Sequence, residues 1–170
     1  MPLVSTQPNF RMPDMNFPFV HEADFLLTAQ RRVAKADGGL LNGVQNLFTI
    51  EGGPVYARLC GVITTVTGGT ACNGQLRHST VTPGTTTNLS TAVSMASKAA
   101  GTSIRFVGAT GALTLLAAGA AMIDPVLTDD TRFLLPIGTL IFNSTAANSG
   151  VIAWYLDYQP LAPEVVVSAI

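Results

Sequence analysis

Turns constrain this chain more than any other feature. From Thr28 onward, short apolar segments are repeatedly broken by clusters of Gly, Asn, Thr and Pro. A chain that reverses direction so often has little room for long helices and much for short strands. Residues 30–36 alternate around Val33 between charges, as an edge strand protected from wrong pairing does. Residues 44–50 and 55–67 read as strands separated by Glu51-Gly52-Gly53-Pro54, a tight turn. In the second of them Leu59, Gly61 and Ile63 share one face, and Val62, Thr64, Thr65 and Val66 favour extended backbone. Residues 71–78 contain Asn73-Gly74, a strong hairpin signal. Residues 82–88 form a loop, and 89–99 fit both helical spacing and alternation, with strand favoured. Strands at 104–107, 113–117, 132–135, 138–143 and 151–158 complete a set of about nine or ten. The expected fold is all-β: an antiparallel β-sandwich, jelly-roll-like, or a barrel.

The segment before these strands has another character. Residues 1–27 are rich in proline and carry Phe10, Phe17, Phe19 and Phe25. Proline fixes φ and removes a backbone donor, so such a segment gains order by lying on another surface. The chain therefore divides into an extended arm (1–27), a β domain (28–162) and an apolar tail (163–170). The four phenylalanines are candidate interface anchors on the same or a neighbouring subunit, because large aromatics are costly to leave in water. In the tail, Val165 and Val167 are candidates for adding a strand to a neighbouring sheet edge.

Charge narrows the function classes. The 170 residues hold only 11% charged side chains against 48% apolar ones, with a net charge of -1. Disorder needs the opposite balance, and a nucleic-acid-binding domain needs a basic face, so neither is expected. Between Gly52 and Ile123, a stretch of 72 residues contains Arg58, Arg77, Lys98 and Arg105 but no carboxylate. The remainder to Ile170 carries Asp124, Asp129, Asp130, Asp157 and Glu164 against Arg132. A surface so poor in mixed charge suits protein contact better than isolation in water, although the opposite signs of the two parts can also meet within one subunit.

The search for chemistry finds little. Pro2, Pro8, Pro13 and Pro18 interrupt the apolar run that a secretory leader needs, so none is expected in residues 1–20. Residues 106–123 are uncharged, which meets the length of about 18 needed for a spanning helix, but Gly108, Gly111 and Gly119 favour turns between short strands; no membrane partner is expected. Phe106-Val107-Gly108-Ala109-Thr110-Gly111-Ala112 matches a dinucleotide-binding turn only weakly, since Thr114 stands where a third glycine belongs. Cys60 and Cys72 are too few for a zinc site; Cys60 is expected to be a buried thiol, bridged to Cys72 only if their strands pair as a hairpin. His21 lies in the arm, and His78 is expected to be solvated or hydrogen-bonded at the surface. Asp124, Asp129 and Asp130 lack the calcium-loop pattern. Asn88-Leu89-Ser90 and Asn143-Ser144-Thr145 fit glycosylation sequons but carry no weight without a leader. No catalytic residue, cofactor or metal is expected.

Two stretches carry a resemblance. Leu47-Phe48-Thr49-Ile50-Glu51-Gly52-Gly53-Pro54-Val55, running on to Gly61-Val62-Ile63-Thr64-Thr65, is similar to structural proteins of tailed-bacteriophage particles. So are Leu135-Pro136-Ile137-Gly138-Thr139-Leu140, the stretch from Ser149 to Leu161 that includes Trp154-Tyr155-Leu156-Asp157-Tyr158, and Ala99-Ala100-Gly101-Thr102. The likeness covers residues 28–162; arm and tail have no counterpart in it. It implies a non-enzymatic virion protein of the capsid decoration, or cement, type, a homotrimer on the outside of the capsid that contacts the major capsid protein. A tail or fibre component is the alternative within this class. Outside it stands a carbohydrate- or receptor-binding β module stacking sugars on Trp154, Tyr155, Tyr158 or Tyr56.

Overall fold

The computed structural model describes residues 30–35, 43–80, 84–107, 111–118 and 132–170. These contain no helix and twelve strands: β1 (Arg31–Lys35), β2 (Gly43–Glu51), β3 (Val55–Thr65), β4 (Asn73–Thr80), β5 (Thr86–Asn88), β6 (Val93–Ser94), β7 (Ser103–Val107), β8 (Ala112–Leu116), β9 (Phe133–Leu135), β10 (Gly138–Ser144), β11 (Val151–Pro160) and β12 (Val166–Ala169). They form two antiparallel sheets. One runs β1-β11-β3-β7-β8 with β9 also on β3; the other runs β12-β2-β10-β4-β5 with β6 also on β4. From β1 to β4 successive strands cross from sheet to sheet, and the ladders β1:β11, β2:β10, β3:β7 and β4:β5 fold the chain back on itself. This wrapping is that of a jelly roll.

Alternation decides which side chains fill the space between the sheets. Val55, Ala57, Leu59, Gly61 and Ile63 of β3 face inward, as do Ile152, Trp154, Leu156 and Tyr158 of β11. Leu76 of β4 and Leu140 and Phe142 of β10 meet them from the other sheet. Trp154 and Phe142 touch across the layer at 5.0 Å between ring centroids. Each aromatic needs a glycine: a Cβ on Gly61 would lie 2.8 Å from the Trp154 ring, and one on Gly74 would lie 2.2 Å from Phe142 Cζ. In β2 a bulge leaves Leu47 without a partner between Phe48, opposite Leu140, and Asn46, opposite Ile141. The extra residue breaks the period of two, so Leu47 and Phe48 are both fully buried.

Several expectations are corrected. Residues 163–170 are not a separate tail: β12 pairs with β2 from Val166 opposite Glu51 to Ala169 opposite Phe48. Val165 and Val167 are 2% and 6% exposed within the chain's own core, so neither is free to contact a neighbour. Asn73-Gly74 opens β4 instead of turning a hairpin, and β3 and β4 lie in different sheets, so Cys60 and Cys72 are both free thiols. Cys72 is the buried one, whereas Cys60 is half-buried. Of 89–99 only Val93 and Ser94 form a strand; Ser97 adopts φ 54°, which a regular strand excludes. The weak dinucleotide motif lies at the β7–β8 hairpin, where antiparallel pairing of Phe106 with Leu113 replaces the strand–helix turn that cofactor binding needs. No helix long and apolar enough to cross a membrane occurs among the described residues.

Candidate functional site

The outer faces of the two sheets differ in chemistry. Across the second sheet, Ser168 pairs with Thr49, Thr49 with Thr139, Thr139 with Ser79 and Ser79 with Thr86, a row of hydroxyls over five of its six strands. Beside it run Asn46, Ile141, Arg77 and Asn88. Hydroxyls and amides predominate in these two rows, while Val44 and Val166, 65% and 56% exposed, lie elsewhere on the same face.

The outer face of the first sheet is cationic along one row and apolar along the next. Asp157 faces Arg32 on β1 and Arg58 on β3. Arg32 donates to both Asp157 oxygens, at 2.5 and 2.8 Å. Arg32 is 67% exposed, so this pair contributes at most about 1 kcal/mol. Arg58 gains no share of it, and its Nε is buried without a hydrogen-bond partner. One row along, Tyr56 lies between Gln159 on β11 and Leu134 on β9. Leu161, whose amide donates to the Pro54 carbonyl, adjoins this row. Tyr56, Leu134 and Leu161 are 45%, 55% and 40% exposed, an apolar surface assembled from β3, β9 and the residue that follows β11.

Net charge divides between this framework and the rest of the chain. The described residues hold Arg31, Arg32, Lys35, Arg58, Arg77, Lys98, Arg105 and Arg132 against Glu51, Asp157 and Glu164, a net +5. The remainder holds Arg11 against Asp14, Glu22, Asp24, Asp37, Asp124, Asp129 and Asp130, a net -6. A cationic sandwich is thus joined to acidic segments.

The groups with reactive chemistry are held in quiet states. Burial pushes the Cys60 thiol up, and nearby Asp157 adds to the shift, which disfavours the nucleophilic thiolate. His78 is 3% exposed, which corrects the solvated reading, and its Nε2 lies 3.2 Å from the Pro136 carbonyl. A carbonyl only accepts, so Nε2 carries the proton. Gly138, at φ +145°, makes room for this ring: a Cβ there would lie 2.9 Å from it. Burial pushes the imidazole below its ordinary value, more strongly than the carbonyl raises it. The unfolded chain takes up this proton near pH 6.5 and the native state only lower. Stability is therefore untouched above that pH and falls as pH drops below it, by up to ~1.4 kcal/mol per pH unit. Denaturant titrations at pH 7.5 and 5.0 should show this part of the loss disappear in His78→Gln, which keeps a donor; an identical acid loss in both proteins would refute the assignment.

Trp154 is fully buried and Tyr158 nearly so, which leaves Tyr56 and the half-buried Tyr155 as aromatics that reach solvent for sugar stacking. Phe10, Phe17, Phe19 and Phe25, with His21, Asp124, Asp129 and Asp130, lie outside the described residues. No group of three metal-ligating side chains occurs among the described residues. The sequence reading missed the Tyr56, Leu134 and Leu161 surface. Each residue sits on the outward phase of its strand, but their meeting depends on pairing between positions 56 and 134. No protein-family model matches the chain, and no curated protein or solved structure is significantly similar to it.

Proposed function

We propose that the protein is a non-enzymatic virion component that attaches to the outside of a bacteriophage capsid as a decoration or cement protein, acting as a homotrimer. The observation that carries this reading is the make-up of the two outer faces: rows of hydroxyls and amides with exposed Val44 and Val166 on one, an apolar row beside a cationic row on the other, joined to a Phe-rich acidic arm. Such surfaces work through buried area and complementarity and need no reactive group. The resemblance read in residues 28–162 to tailed-phage structural proteins is the ground for proposing the major capsid protein as the partner. Closed symmetry favours a ring, and in a trimer weakly charged faces meet around an axis.

Light scattering of the purified chain should give three times the 17.7 kDa subunit mass; a stable monomer would sink the trimer. Removing residues 1–27 should shift the melting temperature by no more than a few degrees, because the core described above lies entirely within residues 30–170. The same deletion should weaken capsid attachment at least tenfold in a co-sedimentation assay, as loss of aromatic anchors does. Undiminished attachment would refute the role of the arm, and binding to isolated tails but not heads would move the protein to the tail.

A further inference from the structure

The outer face of the first sheet holds an unmatched pair of rows. Tyr56 and Leu134 are paired neighbours on β3 and β9, each about half exposed, with Leu161 beside them. Arg58 is two residues along β3 on the same face, and Arg132, exposed, is two residues before Leu134. Asp157, the carboxylate opposite Arg58, is already held by Nε and Nη2 of Arg32. Two guanidinium groups beside an apolar row fit a short peptide that combines an aromatic with carboxylates.

We propose that this surface is the docking site for residues 19–27 of the same chain, with Phe25 over Tyr56 and Leu134 and with Glu22 and Asp24 facing Arg58 and Arg132. Three observations select this occupant. Its sequence, Phe19-Val20-His21-Glu22-Ala23-Asp24-Phe25-Leu26-Leu27, has the required chemistry. It comes from the acidic part of the chain, while the sandwich is cationic. Its attachment point is also at the site. Arg31 pairs with Tyr158, so Gln30 continues the register beside Gln159, and Gln159 pairs with Tyr56. From Gln30 to Leu134 is three strand spacings, about 14 Å. Five extended residues reach about 16 Å, which places Phe25 over the apolar pair. A segment tethered this closely has an effective concentration in the millimolar range, which favours the chain's own arm over that of a second copy in dilute solution. Docking there fixes the root of the arm and sets the direction in which residues 1–18 leave the domain. The proposal concerns contacts within one chain and stands whether or not the protein binds capsids.

The test is a photo-crosslink in the full-length chain. p-Benzoylphenylalanine replaces the exposed Leu134, and irradiation of the dilute protein is followed by intact mass and tryptic mapping. The expected product has the mass of one chain, with the crosslink on the tryptic peptide spanning residues 12–31. Its yield should fall about tenfold in Phe25→Ala and again in the double variant Glu22→Lys, Asp24→Lys, with circular dichroism unchanged. Absence of an adduct to residues 12–31, an adduct joining two chains, or a yield indifferent to these substitutions would overturn the proposal.

Discussion

Replacing Trp154 with alanine is expected to cost about 3–5 kcal/mol, enough to leave a domain of ordinary stability largely unfolded on mild heating. Trp154 is fully buried on β11, rests on the bare backbone of Gly61 and meets Phe142 of the other sheet. It is therefore a main contact between the layers. The cavity left by alanine is walled by Gly61 on one side, which has no side chain to fill it. Equilibrium unfolding in urea measures the cost, and a change below about 1 kcal/mol would show that the layers do not depend on this ring. Trp154→Phe refines the test. The Trp154 Nε1 is buried with no hydrogen-bond partner, so phenylalanine removes an unsatisfied donor while keeping most of the apolar volume. Its cost should stay below about 1.5 kcal/mol. The same burial means that loss of glycan binding in Trp154→Ala would report unfolding and not a lost stacking platform.

Local pattern carried most of the strand assignments. Residues 55–67 alternate cleanly, 138–143 and 151–158 are short apolar runs bounded by turn residues, and the strands Val55–Thr65, Gly138–Ser144 and Val151–Pro160 follow them closely. The failures share one physical cause, that tertiary pairing overrode a local signal. Asn73-Gly74 suits a two-residue hairpin, but Gly74 is required inside a strand because Phe142 occupies the space where its Cβ would be. Residues 89–99 have strand propensity, yet only Val93 and Ser94 join a ladder, opposite Gly74 and Asn73, while Leu89, Thr91, Met95 and Ser97 make isolated backbone hydrogen bonds. His78 sits on the inward phase of β4, and neither its neighbours Arg77 and Ser79 nor its own polarity signals that Gly138 leaves it a place. The candidate site was least legible, because the apolar row and its cationic neighbour are assembled from β1, β3, β9, β11 and the residue after β11, which are far apart in sequence.

The apolar C-terminal segment gives the second large effect. Deleting residues 164–170 should cost about 4 kcal/mol, from the burial of Val165 and Val167 at roughly 1.5–2 kcal/mol each together with the β12–β2 hydrogen bonds. The deletion also bares the edge of β2, where Glu51, Ile50, Thr49 and Phe48 face β12 residue by residue. An exposed edge of this kind invites pairing with other chains, so the truncated protein should aggregate on heating where the intact one does not. Point substitutions separate this account from a role in docking to a neighbour. Val167 is 6% exposed and Val166 is 56% exposed, so a charge at the first position enters the core and a charge at the second meets water. Val167→Lys should lose at least about 3 kcal/mol and Val166→Lys, which faces Glu51 across the ladder, no more than about 0.5 kcal/mol, both read from urea midpoints at a protein concentration low enough to suppress association. Equal and small effects would mean that β12 is dispensable to its own sandwich and free to pair elsewhere. The expected asymmetry follows from the period of two in a strand with one face on the core, and it makes the end of the chain a structural stave of the domain.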